Sequence, residues 1–269
     1  MRLLTQNRTI QVLKLNNNGL GIGGGELISQ ALVEAQELND KEGRPSSLRV
    51  IQMGRNRLES PGAKFLSAAF AAHCESLEEV RLYQNSIRPD VFPVLMKSLG
   101  KCTNLVSLDV QDNTLTELGS EALASAVASW PHLKSLNVGE CLLRPTGSKT
   151  LFKALTEGHT LLEKLYLSFN EIDTAASALL PTLLTNKAQL TLLELNGNEF
   201  DPEGSVVQAV LDTLRSHGHP DALDELDEME WGDDEEESDE EEEEDASTAA
   251  QIDEEDVDAL TRAVAQVQV

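Results

Sequence analysis

One short pattern, L-x-x-L-x-L-x-x-N-x-L with Ile, Val, Met or Phe allowed at the apolar positions, returns seven times along this 269-residue chain. Its Asn position falls at Asn18, Asn56, Asn85, Asn113, Cys141, Asn170 and Asn198, at intervals of 38, 29, 28, 28, 29 and 28 residues. A unit of this size cannot bury its apolar face alone. It must stack on its neighbours, which produces a curved solenoid with one continuous core and one long exposed surface.

Each unit divides into two periodicities. In the first, Leu105, Leu108 and Val110 alternate as a short buried strand does, turning Asp109 and Gln111 to the other face. In the second, apolar residues recur at helical spacing, as in Leu123 with Val127 and Leu151 with Leu155. Gly24, Gly62, Gly119, Gly147 and Gly204 each stand six residues after the Asn position, where the chain turns into the helix and backbone passes close to backbone. The two periods together predict an α/β leucine-rich repeat solenoid of the ribonuclease-inhibitor-like horseshoe type. Parallel strands line the concave face and helices line the convex one. The repeat Asn is expected to point inward and bond backbone groups of adjacent turns that would otherwise be buried and unpaired. Cys141, a weaker donor, should leave its turn less well satisfied.

The repeats occupy residues 1–220, with a polar surface insertion at 37–46 (ELNDKEGRPS) that lengthens the first interval. After Phe200, a helix through Val206, Val210 and Leu214 is expected to close the last repeat, and Leu223, Leu226 and Met229 could dock as a short cap. Residues 221–269 form an acidic tail. They hold 23 of the 47 acidic residues and one basic residue, Arg262, so the body is nearly neutral while the whole chain carries −26. From Gly232 to Asp245 nothing can be buried and the charges repel, which predicts disorder; Val257, Leu260 and Val264 lie at helical spacing in an isolated segment too short to be a stable helix. Met1 precedes the first repeat by only about nine residues with nothing to cap its open core, so the chain is expected to be the C-terminal portion of a longer protein.

Several activities are disfavoured. Nucleic-acid binding needs a basic surface, and none exists at domain scale. No apolar run of membrane-spanning length occurs, so no membrane insertion is expected. The three cysteines are widely spaced and are read as reduced thiols of an intracellular protein. The glycine cluster NGLGIGGGE lacks the Lys-Ser/Thr of a phosphate loop, and the five histidines show no metal-ligand spacing, so neither a cofactor nor a metal is expected. The residues that invite a binding role are the polar ones on the concave face and its adjoining loops: Asn17, Arg55, Arg57, Arg81, Gln84, Arg88, Asp109 and Asp112. Mixed charges along one ridge suit a polar protein partner. Of these, Arg55, Arg57, Gln84, Arg88 and Asp112 are taken as the partner-binding set.

The segments LNNNGLG (15–21), GRNRLES (54–60), YQNSIRP (83–89), LDVQDNTLTELGSEALA (108–124), SWPHLKSLNVGECLL (129–143), LELNGNEF (193–200) and DELDEMEW with its acidic tail resemble the Ran GTPase-activating protein family. The resemblance implies a non-enzymatic monomer that binds the small GTPase Ran in its GTP form and accelerates hydrolysis in nucleocytoplasmic transport. It also implies a cytoplasmic location, extending to the nuclear envelope. In the family, an Asn beside a strand orients the GTPase's own glutamine. The matching segment here is LNNNGLG, and because Asn18 is expected to be committed inward, the role goes to Asn17. The family's essential Arg lies in a Gly-Arg motif of repeats that precede this segment; Arg55 belongs to a later repeat and is not its counterpart. The resemblance therefore implies an activator without its whole site. Two other classes remain open: a leucine-rich scaffold that binds protein without affecting GTP hydrolysis, and an acidic chaperone of histones or importins acting through the tail.

Overall fold

The computed structural model describes residues 2–227. Seven three-residue strands, β1 (Val12–Lys14), β2 (Val50–Gln52), β3 (Glu79–Arg81), β4 (Ser107–Asp109), β5 (Ser135–Asn137), β6 (Lys164–Tyr166) and β7 (Leu192–Glu194), form one parallel sheet in chain order. The register puts equivalent residues side by side, so Leu13, Ile51, Val80, Leu108, Leu136, Leu165 and Leu193 make one continuous row. From Ile51 onward every member of that row is fully buried. Their out-facing neighbours Lys14, Gln52, Arg81, Asp109, Asn137, Tyr166 and Glu194 line the opposite face.

Helices return the chain between strands: α1 (Arg2–Gln6) ahead of β1, then α2 (Gly21–Lys41), α3 (Glu59–Ala72), α4 (Phe92–Leu99), α5 (Thr116–Val127), α6 (Arg144–Thr156), α7 (Thr174–Ser177) with α8 (Leu180–Leu184), and α9 (Ser205–Ser216). The glycines six residues past the Asn position fall in or at the first turn of these helices, and Gly147 shows why. A Cβ there would come within 2.5 Å of Ser120 Oγ and 2.9 Å of Ser120 Cβ on the preceding helix. In the sixth repeat the helix breaks into α7 and α8 at Pro181, which lacks the amide a continuous helix needs.

The buried asparagines form a ladder. Asn85 accepts at Oδ1 from the Asn56 and Leu58 amides (3.0 and 3.3 Å) and donates from Nδ2 to the Met53, Leu82 and Tyr83 carbonyls. Asn56, Asn113, Asn170 and Asn198 repeat this arrangement one turn apart. Cys141 substitutes in part: its Sγ donates to the Val110 carbonyl at 3.3 Å, and the Leu115 amide turns to the Cys141 backbone carbonyl at 2.9 Å. Burial pushes that thiol well above the ordinary range.

A second polar row, which the pattern did not disclose, joins consecutive repeats on the helix side. His73 Nε2 meets the Leu32 carbonyl (3.0 Å), Cys102 Sγ the Phe70 carbonyl (3.6 Å), Trp130 Nε1 the Leu99 carbonyl (2.9 Å) and Lys187 Nζ the Gly158 carbonyl (3.0 Å). These side chains lie where each helix gives way to the next strand and reach back to the preceding helix. The Phe70, Leu99 and Gly158 carbonyls lie at helix ends, which leave such groups orphaned, whereas Leu32 lies within α2. The Lys187 side chain is fully buried, and desolvation brings its ammonium down to about 8.

Four local features depart from expectation. Residues 37–41 of the insertion continue α2, because Asn39 is buried and donates to the Arg8 carbonyl, so only the part after Lys41 is loop. The first repeat is partly covered: Leu4 and Ile10 pack on the core, although Leu3 and Val12 remain exposed. In α9 it is Val207, with Val210 and Leu214, that is buried. Residues 221–227, counted with the acidic tail by composition, dock instead on the last repeat as an extended segment, with Leu223 bridged parallel to Leu193 and Leu226 packed on the core as the expected cap. Met229, the acidic run from Gly232 to Asp245 and the stretch around Val257, Leu260 and Val264 lie outside the described residues.

Candidate functional site

The residue just before each ladder position is forced into the left-handed backbone region. Asn17, Arg55, Gln84, Asp112, Glu140 and Phe169 have φ of 59°, 57°, 53°, 51°, 54° and 55°, and Gly197 has 69°. The cause is the stacking. Each of the six amides before Gly197 donates to a carbonyl of the next repeat: Asn17 to Gly54, Arg55 to Tyr83, Gln84 to Gln111, Asp112 to Gly139, Glu140 to Ser168 and Phe169 to Asn196, at 2.8–3.0 Å. With the amide held inward and the following Asn bonded in the ladder, the side chain between them turns outward. The result is a ridge of seven places, one per repeat and six of them carrying side chains, running beside the sheet at roughly 5 Å per step.

Four of the proposed residues, Asn17, Arg55, Gln84 and Asp112, therefore occupy consecutive places on one row. Asn17, Arg55 and Gln84 are exposed and Asp112 is half-buried. Arg57 and Arg88 stand off this row and line one open cleft with Glu59, Ser60, Pro61, Ser86 and Asp90. Ser60 Oγ accepts from the Arg88 amide at 3.0 Å, fixing the start of the turn that carries the arginine. The two remaining surface residues belong to the concave sheet face. Arg81 pairs with Glu79 at 2.7 Å, and burial holds the Asp109 carboxyl above its ordinary range.

Asn17 makes no side-chain hydrogen bond among the described residues, whereas Asn16 Oδ1 accepts from the Gly54 amide at 2.8 Å. Asn18 differs from the other ladder asparagines. It is exposed, and its Nδ2 bonds only the Asn16 carbonyl at 2.9 Å, because no described turn lies before it. Its backbone amide is still tied to Asn56 Oδ1 at 2.9 Å. Of the three adjacent asparagines, Asn17 alone offers an unengaged amide group. Sequence reasoning missed Glu140 and Phe169, the next two members of the row; the interval of 28–29 residues counted on from Asp112 was the signal that could have found them.

The described residues contain no group of three or more His, Cys, Asp or Glu side chains placed to hold a metal ion. No described helix is long and apolar enough to cross a membrane. The cysteines Cys74, Cys102 and Cys141 are free thiols, and burial pushes Cys102 up to about 12. His73 is structural: Nδ1 meets Ser46 Oγ at 2.7 Å and Nε2 the Leu32 carbonyl. Burial lowers its pKa, an effect partly opposed by that carbonyl and by Asp40. A histidine held neutral in the fold takes up a proton on unfolding. Stability therefore falls as pH drops below the unfolded value of about 6.5, and levels off below the depressed native value. We expect the urea midpoint of the chain to fall between pH 6.5 and 5, and to fall less in His73→Gln, whose amide can keep the Leu32 bond. Equal slopes in the two proteins would show that His73 does not govern this range.

The family model described as "Leucine Rich repeat" matches residues 6–29 and 101–124. The chain is 38% identical over 213 residues to Ran GTPase-activating protein 1 of Saccharomyces cerevisiae, covering 77% of this chain and 51% of the yeast protein. It is 37% identical to Ran GTPase-activating protein 1 of Xenopus laevis, covering 77% of this chain and 36% of the frog protein. The human NACHT, LRR and PYD domains-containing protein 13 is 30% identical over 75% of this chain and 18% of its own length. The chain thus spans about half the length of the yeast relative and about a third of the frog one. Among solved structures, an internalin from Listeria monocytogenes matches with a TM-score of 0.40 and 16% identity, over 84% of this chain and 64% of the internalin.

Proposed function

Because this chain is a leucine-rich repeat protein related in sequence to the Ran GTPase-activating proteins, we propose that it binds Ran in its GTP form along the ridge and stimulates GTP hydrolysis there. The single observation that carries this is the similarity at 34–38% identity to three proteins of that name, from yeast, frog and fly, over about three quarters of the chain. The geometry adds an actor. Asn17 is held outward by its left-handed backbone and the amide bond to Gly54, with its side-chain amide unengaged. Such a group can accept from and donate to the glutamine that positions the attacking water in a GTPase, fixing its orientation without adding charge. Arg57 and Arg88 line a cleft that also holds Glu59 and Asp90, a mixed-charge surface for a polar partner. On this reading the chain is an activator and no enzyme in its own right, a monomer acting in the cytoplasm and at the nuclear envelope to give nucleocytoplasmic transport its direction.

The 269 residues carry no repeat ahead of β1 and hence no counterpart of the family's Gly-Arg motif. We therefore expect the chain alone to bind Ran·GTP but to stimulate hydrolysis far less than a full-length relative. The test is single-turnover hydrolysis by Ran with saturating chain, run beside Asn17→Ala. Residual stimulation should disappear in Asn17→Ala while the dissociation constant moves by less than about threefold, because a single uncharged hydrogen bond is worth about 1 kcal/mol or less in the ground state. Stimulation by Asn17→Ala equal to that of the unaltered chain would remove Asn17 from the mechanism. An absence of any Ran binding would favour a protein-binding scaffold instead.

A further inference from the structure

The ridge changes character along its length. Its first half carries Asn17, Arg55 and Gln84, flanked by Arg57, Glu59 and Arg88; its second half carries Asp112, Glu140 and Phe169, flanked by Arg144, Glu171 and Glu199. Phe169 is the one aromatic among the large apolar side chains exposed in the described residues, at 55%. Leu142, in the loop one repeat earlier, is also exposed and also has positive φ, 52°. A bulky residue in the left-handed region is held against its steric preference.

The fold does not require an aromatic there. The equivalent places hold Asn17, Arg55, Gln84, Asp112 and Glu140, so the backbone demands a positive φ and nothing more. The ring is nevertheless seated: a Cβ added to Gly197, the next place on the ridge, would lie 2.2 Å from Phe169 Cδ1 and 2.3 Å from Cε1. Phe169 thus lies across a glycine that leaves it room, and so presents a fixed apolar surface. Around it stand carboxylates. Glu140 is exposed and accepts from Gln111 Nε2 at 2.8 Å, and Glu171 is half-buried and pairs with Arg144 at 3.4 Å. Phe169 lies five ridge steps from Asn17, roughly 25 Å at the strand spacing. A standard interface of about 800 Å² per partner is roughly 30 Å across, so one protein can cover both ends.

We propose that Phe169, backed by Leu142, is the anchor of a second contact with the same partner, and that it fills an apolar pocket rimmed by lysine or arginine side chains. This rests on the partner being Ran. A rigid aromatic with few rotatable bonds, in a ring of opposite charge, is the kind of group on which binding energy concentrates, while the surrounding carboxylates set the rate of encounter.

The test is the affinity and kinetics of Ran·GTP for the full chain, for Phe169→Asn and for Glu140→Arg, with thermal unfolding of each. Asn accepts the left-handed backbone, so Phe169→Asn should unfold no earlier than the unaltered chain. Its dissociation constant should weaken at least tenfold, mainly through faster dissociation. Glu140→Arg leaves the strained residue untouched and should slow association, with the largest difference at low salt. Affinity of Phe169→Asn within twofold of the unaltered chain would overturn the anchor while leaving Ran as the partner. An unchanged association rate in Glu140→Arg would overturn the basic rim. If the unaltered chain does not bind Ran at all, the anchor and the proposed function fall together.

Discussion

Asn85→Ala should lower the unfolding free energy by about 3–5 kcal/mol, while Asn18→Ala, at the same place in the sequence pattern, should cost less than about 1 kcal/mol. The difference lies in what each side chain leaves behind. Asn85 is fully buried. Its loss would orphan the Asn56 and Leu58 amides, which have no other acceptor. The carbonyls are less affected: Met53 keeps the bond from Asn56 Nδ2, Leu82 that from Asn113 Nδ2 and Tyr83 that from the Arg55 amide. Two unsatisfied buried amides at about 1–3 kcal/mol each, with a small cavity in addition, give the expected size. Asn18 is exposed and accepts from no described amide through its side chain, so water replaces its one bond. Urea unfolding followed by circular dichroism measures both. Similar losses for the two variants would mean that the ladder does not hold the repeats together.

Ending the chain at residue 220 should cost about 4 kcal/mol or more, whereas ending it at 227 should change stability by less than about 0.5 kcal/mol. Residues 221–227 complete the last repeat in place of an eighth strand. The Leu193 amide donates to the Ala222 carbonyl at 2.7 Å and the Asp224 amide to Leu193 at 3.0 Å. Asp224 then stands where a following strand would offer a carbonyl, accepting from the Leu195 and Asn196 amides at 2.9 and 3.2 Å. Asp227 closes the set through both bonds to Asn196. Ala222, Leu223 and Leu226 cover the end of the core, and without them Leu193 and Leu195 would face water. Unfolding midpoints of the two truncations decide the matter: if they agree, residues 221–227 are not a cap. Ran binding should survive removal of residues 228–269, because the ridge lies wholly in the repeats; binding lost with that segment would favour a partner of the acidic tail.

The second polar row marks a limit of sequence reasoning. His73, Cys102, Trp130 and Lys187 share no chemistry, so no periodicity of residue type announces them. What they share is a position from which any donor can reach a carbonyl of the preceding helix or of the turn that follows it. The long first interval misled for a related reason. ELNDKEGRPS is polar by composition, yet its first half is helix, because Asn39 finds the Arg8 carbonyl on the segment before β1. Composition reports what a stretch prefers when alone, and a contact over thirty residues away overrides it.

The amino-acid sequence by itself determined the repeat number, the parallel order of the strands, the inward rows of Leu, Ile and Val, and the ladder of asparagines. All follow from a pattern of fixed period, in which each unit has neighbours only before and behind it. It also marked Asn17, Arg55, Gln84 and Asp112 as outward-facing. The tertiary structure alone decided that these four stand on one ridge with Glu140 and Phe169, and that Asn18 is spared the burial of its equivalents. It also decided that Asp224, in place of a following strand, takes the Leu195 and Asn196 amides. Each of these depends on which backbone groups of an adjacent turn need a partner, and that is fixed only when the turns are stacked.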